Sequence, residues 1–306
     1  MPKKKQIFKN PFVIMITALF CCALWGSATP FIKTGYELIL PWRGTPSTIL
    51  FAGLRFTLAG IITVAIYSIG RGRFLVPKRE NYLRIGVVAS FQTVLQYIFF
   101  YIGLANTTGV KGTIASGSSA FFALLVAGIF FKMEKITFKK LLACVIGFAG
   151  IVLVNLNGLD FNMNFFGDGF VIFSAIASAA SSVFVKKYSS NEDPVIISGY
   201  QFFVGGLIMV LIGLLFGGHV QLPDLKAAGV LIYLAFLSAT AYSLWGVLLK
   251  YNSVSKVSIY SFMTPVFGVI LSNIMLNEQG SVSAINMIMA MCLVSVGIFM
   301  LNYKKE

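Results

Sequence analysis

Charge is what this sequence has least of. Only 11% of its 306 residues are charged, against roughly 25% in a soluble domain. With 58% apolar residues and a mean hydropathy of +0.86, the chain cannot cover itself with polar surface. A water-soluble globule is excluded, and lipid must be its solvent. Acid is scarcer still, with 10 Asp plus Glu and 1 histidine, His219, in the Gly217-Gly218-His219 loop. Hydrolysis or group transfer wants a paired acid and base, or a set of metal ligands, and no apolar run carries either. Ser-x-x-Ser groupings have no histidine or buried lysine to activate them. The four cysteines, Cys21, Cys22, Cys144 and Cys292, fall inside apolar runs without metal-ligand spacing, and read as small buried apolar residues. No cofactor or metal is expected.

The charge that is present is lopsided, 24 Lys plus Arg giving a net +14. The cations sit in short clusters between apolar runs, which speaks for membrane topology and against nucleic acid. Ten apolar runs, bounded by Gly, Pro, Asn or charge, cover about 12–32, 47–69, 82–105, 108–131, 139–156, 167–186, 195–217, 226–249, 256–276 and 283–302. Each approaches the ~20 residues a spanning helix needs. They are too long for barrel strands and do not alternate. Lys3-Lys4-Lys5 before an apolar run resembles a signal peptide, but no small-x-small site ends the run and similar runs follow, so it is taken as the first span. With the N-terminus inside, 19 Lys and Arg fall on cytoplasmic segments and 4 (Lys33, Arg43, Lys111, Lys226) outside. That bias places both termini in the cytoplasm of a multi-pass cell-membrane protein.

The chain also repeats itself. Ala52–Val64 and Ser198–Val210 share Gly53/Gly199, Phe56/Phe202, Gly60/Gly206, Ile62/Ile208 and Val64/Val210. Gly150-Ile151-x-x-x-Asn155 returns as Gly297-Ile298-x-x-x-Asn302, and Ser116–Glu134 aligns weakly with Tyr260–Glu278. The division is into residues 1–156 and 157–306, each with five spans. Five is odd, so the halves cross the membrane in opposite senses. The expected fold is an all-α integral membrane protein of ten transmembrane helices in two inverted five-helix repeats, the architecture of alternating-access carriers.

Specific residues then point to a family. Ala23–Lys33, ALWGSATPFIK, resembles the Trp-Gly…Pro…Lys opening of the EamA branch of the drug/metabolite transporter superfamily. Thr264-Pro265-Val266-Phe267 followed by Glu278 resembles its Pro-Val-Phe…Gly-Glu segment, with Asn277 in place of the Gly and Phe121 in place of the Pro in the first half. The resemblance implies a ten-helix carrier of small metabolites with a central cavity between the repeats.

Neutral polar and aromatic side chains are the candidate lining of that cavity. Gln92 and Gln96 share one helical face, with Tyr97 and Tyr101 on the adjacent stripe. Ser116 and Ser119 open span four; Tyr242 and Trp245 lie in span eight; Tyr260 and Thr264 share a face of span nine; Trp25 lies in span one. Converging hydroxyls, amides and rings suit a neutral or zwitterionic solute such as an amino acid. Arg55, the one charge within a span, is expected to snorkel to the outer interface, and its repeat partner Gln201 is neutral. Span six, FSAIASAASSVF, is rich in small residues and is expected to serve close helix packing. Pro30 and Pro265 remove backbone donors inside spans one and nine. Glu134 and Glu278, ending spans four and nine, read as interfacial charges closing helices or as a gate. The expected function is secondary transport, as an exporter of a small polar or amphipathic metabolite; a membrane-embedded enzyme and a non-transporting sensor are the alternatives. The expected partners are the metabolite and the lipid bilayer, with a coupling ion and a homodimeric state left open.

Overall fold

The computed structural model describes residues 6–42, 44–155, 162–276 and 284–302. Lys3, Lys4, Lys5, Arg43, Asp160, Asn277, Glu278, Lys304 and Lys305 lie outside the described residues. Within them there is no strand, and nine helical segments are long and apolar enough to cross a bilayer. These are α1 (Pro11–Ile39), α2 (Thr45–Arg71), α3 (Arg79–Ala105), α4 (Gly109–Phe130), α6 (Phe165–Tyr188), α7 (Pro194–Leu215), α8 (Leu225–Tyr251), α9 (Val254–Met275) and α10 (Ile285–Asn302). The tenth, α5 (Phe138–Val154), has 17 residues, just short of the usual span. Large apolar side chains face outward, Leu225 at 91% and Ile69 at 80% exposure, as suits a surface whose solvent is hydrocarbon.

The helices begin where the sequence offers an acceptor for their unpaired first-turn N–H groups. Asn10, Thr108, Thr137, Asn164, Asp193 and Asp224 each accept a backbone N–H as N-caps, and Pro11 and Pro194 follow at first-turn positions that need no donor. Gly72 ends α2 in the left-handed region, φ 64°, where a glycine carries no Cβ penalty.

The packing follows a two-fold exchange of helix n with helix n+5. The most extensive contacts are α2 with α7 and α5 with α10, each pair exchanged with itself. Contacts of α1 with α8 and α9 are mirrored by those of α6 with α3 and α4. The exchange holds atom by atom. A methyl on Gly60 would lie 2.7 Å from the Gly199 carbonyl oxygen, and one on Gly206 would lie 2.9 Å from that of Gly53. Likewise a methyl on Gly150 would lie 2.9 Å from the Ala290 carbonyl oxygen and one on Gly297 2.7 Å from that of Ala143. The glycines that revealed the duplication are therefore the positions where backbones touch, the contact that binds helices in lipid without a hydrophobic driving force.

Two helices are interrupted at matching levels. α4 breaks at Ser118, between helical stretches Gly109–Gly117 and Ser119–Leu125. α9 runs as Val254–Ser258, a 3-10 turn over Ile259–Phe262, then Met263–Leu276. Pro265 thus sits in the first turn of a restarted helix, where its missing N–H costs nothing. Pro30 by contrast lies inside an unbroken α1.

Candidate functional site

The two-fold axis passes through an aromatic cluster. Phe56 and Phe202, repeat equivalents, stack with ring centroids 5.2 Å apart and planes 3° from parallel. Tyr97 packs on Phe56 at 4.4 Å and Tyr242 on Phe202 at 4.9 Å, and the two tyrosine hydroxyls bond each other at 2.9 Å. Trp25 leans edge-on to Tyr242 at 5.1 Å and to Trp245 at 4.9 Å.

Against this cluster lies a cavity of about 300 Å³, walled by α1, α2, α3, α4, α6, α8 and α9. Ten predicted residues line it: Trp25, Gln92, Gln96, Tyr97, Tyr101, Ser116, Ser119, Tyr242, Trp245 and Thr264. Tyr260 does not line it. The 3-10 turn winds faster than an α-helix, so Tyr260 no longer shares a face with Thr264. It is buried in the apolar core, with its carbonyl accepting from the Cys22 thiol at 3.2 Å.

The lining includes residues that sequence reasoning assigned elsewhere or did not single out. Ser174, Ser178 and Ser182 of α6 point a hydroxyl stripe at the cavity; their i, i+4, i+8 spacing was the available signal. Ser258 and Ser261 enter from the interrupted part of α9. The largest correction is Arg55. It does not snorkel: it is 2% exposed and lines the cavity. Its Nε and Nη2 donate to Ser238 Oγ of α8 at 3.1 and 3.0 Å, and its guanidinium lies 4.8 Å from the Phe56 ring centroid.

Buried polar atoms in proteins are nearly always paired. Among the described residues nine buried side-chain atoms have no partner in the protein, and six of them belong to cavity residues: Trp25 Nε1, Arg55 Nη1, Gln92 Oε1, Gln96 Oε1, Ser116 Oγ and Thr264 Oγ1. The lining residues thus carry a mixed set of unmet donors and acceptors beside an aromatic wall. No Asp, Glu or His lines the cavity.

The acids lie at the ends of the bundle. Glu134 accepts from the Ser255 backbone N–H at 3.0 Å and from the Ser255 hydroxyl, and pairs with Lys140 at 2.5 Å. It thereby caps the start of α9 from the other repeat. At the opposite end Asp168 is 3% exposed, accepts from the Thr107 hydroxyl and lies 3.5 Å from Lys111. His219 is exposed in its loop, and Cys21, Cys22 and Cys144 are buried, whereas Cys292 is exposed. No cluster of three or more metal-ligating side chains occurs among the described residues.

Two five-helix units related by a two-fold exchange and enclosing a polar cavity define a multi-pass, all-α membrane protein. The model of the EamA-like transporter family matches residues 12–156 and again 165–303, and the chain belongs to that family. An uncharacterized transporter of Archaeoglobus fulgidus is 28% identical, over 89% of this chain and 90% of its own. A chloroplastic WAT1-related protein of Arabidopsis thaliana is 25% identical over 88% of this chain and 64% of its own length. An uncharacterized transporter of Bacillus subtilis is 24% identical over 99% and 95%. A solved crystal structure matches with a TM-score of 0.75 at 15% identity, over 94% of this chain and 97% of its own, a likeness of fold. This chain is a membrane transporter.

Proposed function

We propose that the protein is a secondary carrier that binds one small polar or amphipathic metabolite in the central cavity and exposes it alternately to the two faces of the membrane. The observation that carries the reading is the gathering of six partnerless buried polar atoms around one cavity between the repeats. A scaffold would pair those atoms internally, because an unmet buried group costs roughly 1–3 kcal/mol; a carrier leaves them for its solute. The interrupted helices α4 and α9 both wall the cavity, as broken helices do at carrier sites. Residues 1–156 and 157–306 are then the two moving units, both termini are cytoplasmic in a cell-membrane protein, and the physiological direction is export. No bond of the solute is made or broken.

The test is counterflow in liposomes containing the purified protein, screened against amino acids and other small polar metabolites. Thr264→Trp and Ser119→Phe fill the cavity and are expected to reduce flux to the protein-free level while the thermal midpoint in detergent stays near wild type. Full flux through either filled variant would reject this cavity as the route. Turnover of any solute to a new product would favour an enzyme instead.

A further inference from the structure

We propose that Arg55 is the docking point for a carboxylate on the solute held in the cavity, so that the site selects organic anions and zwitterions over cations and neutral analogues. This deepens the carrier reading and rests on it. Three observations on separate atoms converge.

The guanidinium is held in a fixed direction. Ser238 Oγ accepts from both Nε and Nη2 of Arg55, and its own proton goes to the Leu234 carbonyl at 2.9 Å. With one edge of the fork anchored, Nη1 remains buried and without a partner, on a side chain that lines the cavity. Arginine stays protonated in proteins.

The charge has no internal counterpart. No acid lines the cavity, and Arg55 takes no part in the ion pairs Arg71–Asp193, Lys111–Asp168 and Lys140–Glu134. A buried cation without an anion is strongly unfavourable, so a position that keeps one favours an anion supplied from outside.

The charge is also surplus to the fold. Under the two-fold exchange Arg55 maps to Gln201, which makes the corresponding cross-repeat bond, accepting from Thr93 Oγ1 at 2.7 Å. A neutral amide thus ties α7 to α3 as Arg55 ties α2 to α8. Only the arginine copy adds a charge, and only that copy lines the cavity. Gln92 and Gln96 Oε1, partnerless in the same cavity, suit the ammonium of a zwitterion whose carboxylate sits on Arg55. A free inorganic anion would satisfy Nη1 by the same chemistry, and the test separates the two.

Fluorescence of Trp25 and Trp245, both in the cavity wall, reports binding to the full chain in detergent. The probes are short carboxylates, with and without an α-amino group, each paired with its primary amide, in chloride-free buffer, with chloride alone as a separate arm. Wild type should bind at least one acid about tenfold or more tightly than its amide, the scale of one charge-assisted bond. In Arg55→Gln that preference should vanish. Should Arg55→Gln fail to fold, Ser238→Ala keeps the charge but frees the fork, and Arg55→Lys keeps the charge without the fork; both should narrow the preference without abolishing it. Equal binding of acid and amide by wild type overturns the proposal. So does a preference that survives in Arg55→Gln, or a response to chloride that no carboxylate displaces. Liposome flux keeps the two readings apart: transport restricted to neutral or cationic solutes removes the docking role and leaves the carrier, whereas acid binding through Arg55 without flux leaves the docking role and removes the carrier.

Discussion

The α2–α7 crossing and the cavity beside it are made from the same two repeats and treat them in opposite ways. At the crossing the copies are equivalent: Gly53, Gly60, Gly199 and Gly206 each bring backbone against the partner helix, and Phe56 stacks on Phe202. Around the cavity the copies diverge: Arg55 lines it where its equivalent Gln201 does not, and the hydroxyls of α6 have no equal stripe on α1. The crossing is built of close-packed backbone and stacked rings; most of the partnerless polar atoms belong instead to residues that line the cavity. Symmetric positions thus carry the scaffold, and asymmetric ones carry recognition, because a solute has no two-fold axis of its own.

The comparison breaks most forcefully at the glycines. Gly60→Leu and Gly206→Leu each drive a side chain into backbone of the facing helix, where a Cβ alone would lie 2.7 Å from the Gly199 carbonyl oxygen and 2.9 Å from that of Gly53. Each should cost about 3 kcal/mol or more, and the two losses in thermal midpoint should match; unequal losses would deny the equivalence. Glu134→Ala comes next. It strips the first turn of α9 of its acceptor, for about 1–2 kcal/mol, and cysteine labelling at Ser255→Cys should quicken alongside a lowered midpoint. Tyr97→Phe and Tyr242→Phe each remove one end of the same bond at 2.9 Å, about 1 kcal/mol apiece. Because the bond is shared, the double variant should lose little more than either single one. The smallest effect is a gain. Gly229→Ala in α8 meets nothing within 4 Å and should stabilise by about 0.5 kcal/mol through the unfolded chain.

The ten helices were legible because apolar length is a local property, and the inversion because five is odd. The repeat glycines were visible as identities, though only packing shows that they are contact points. The ten expected residues that line the cavity are those whose polarity stands out in apolar runs. What escaped depended on distant partners or on helix type. Arg55 was read as an interface charge by its depth in α2; its burial is decided by Ser238, 183 residues away. Tyr260 was misplaced because a 3-10 turn has no mark in Ile-Tyr-Ser-Phe. The α6 serines were seen but assigned to packing, since small residues serve a close approach and an open wall equally well. α1 continues to Ile39, past the expected 32, because Lys33 and Glu37 do not stop a helix where their heads can reach polar surroundings.

The stacked Phe56–Phe202 pair straddles the axis that swaps the two copies. Suppose each copy takes on the shape of the other, so that a passage closed toward one leaflet opens toward its opposite. Distances between residues that are not repeat equivalents are then free to change, yet this pair is carried onto itself. It would act as a fulcrum, a spacing common to both poses, and a spin label placed on each side of it should record a single separation.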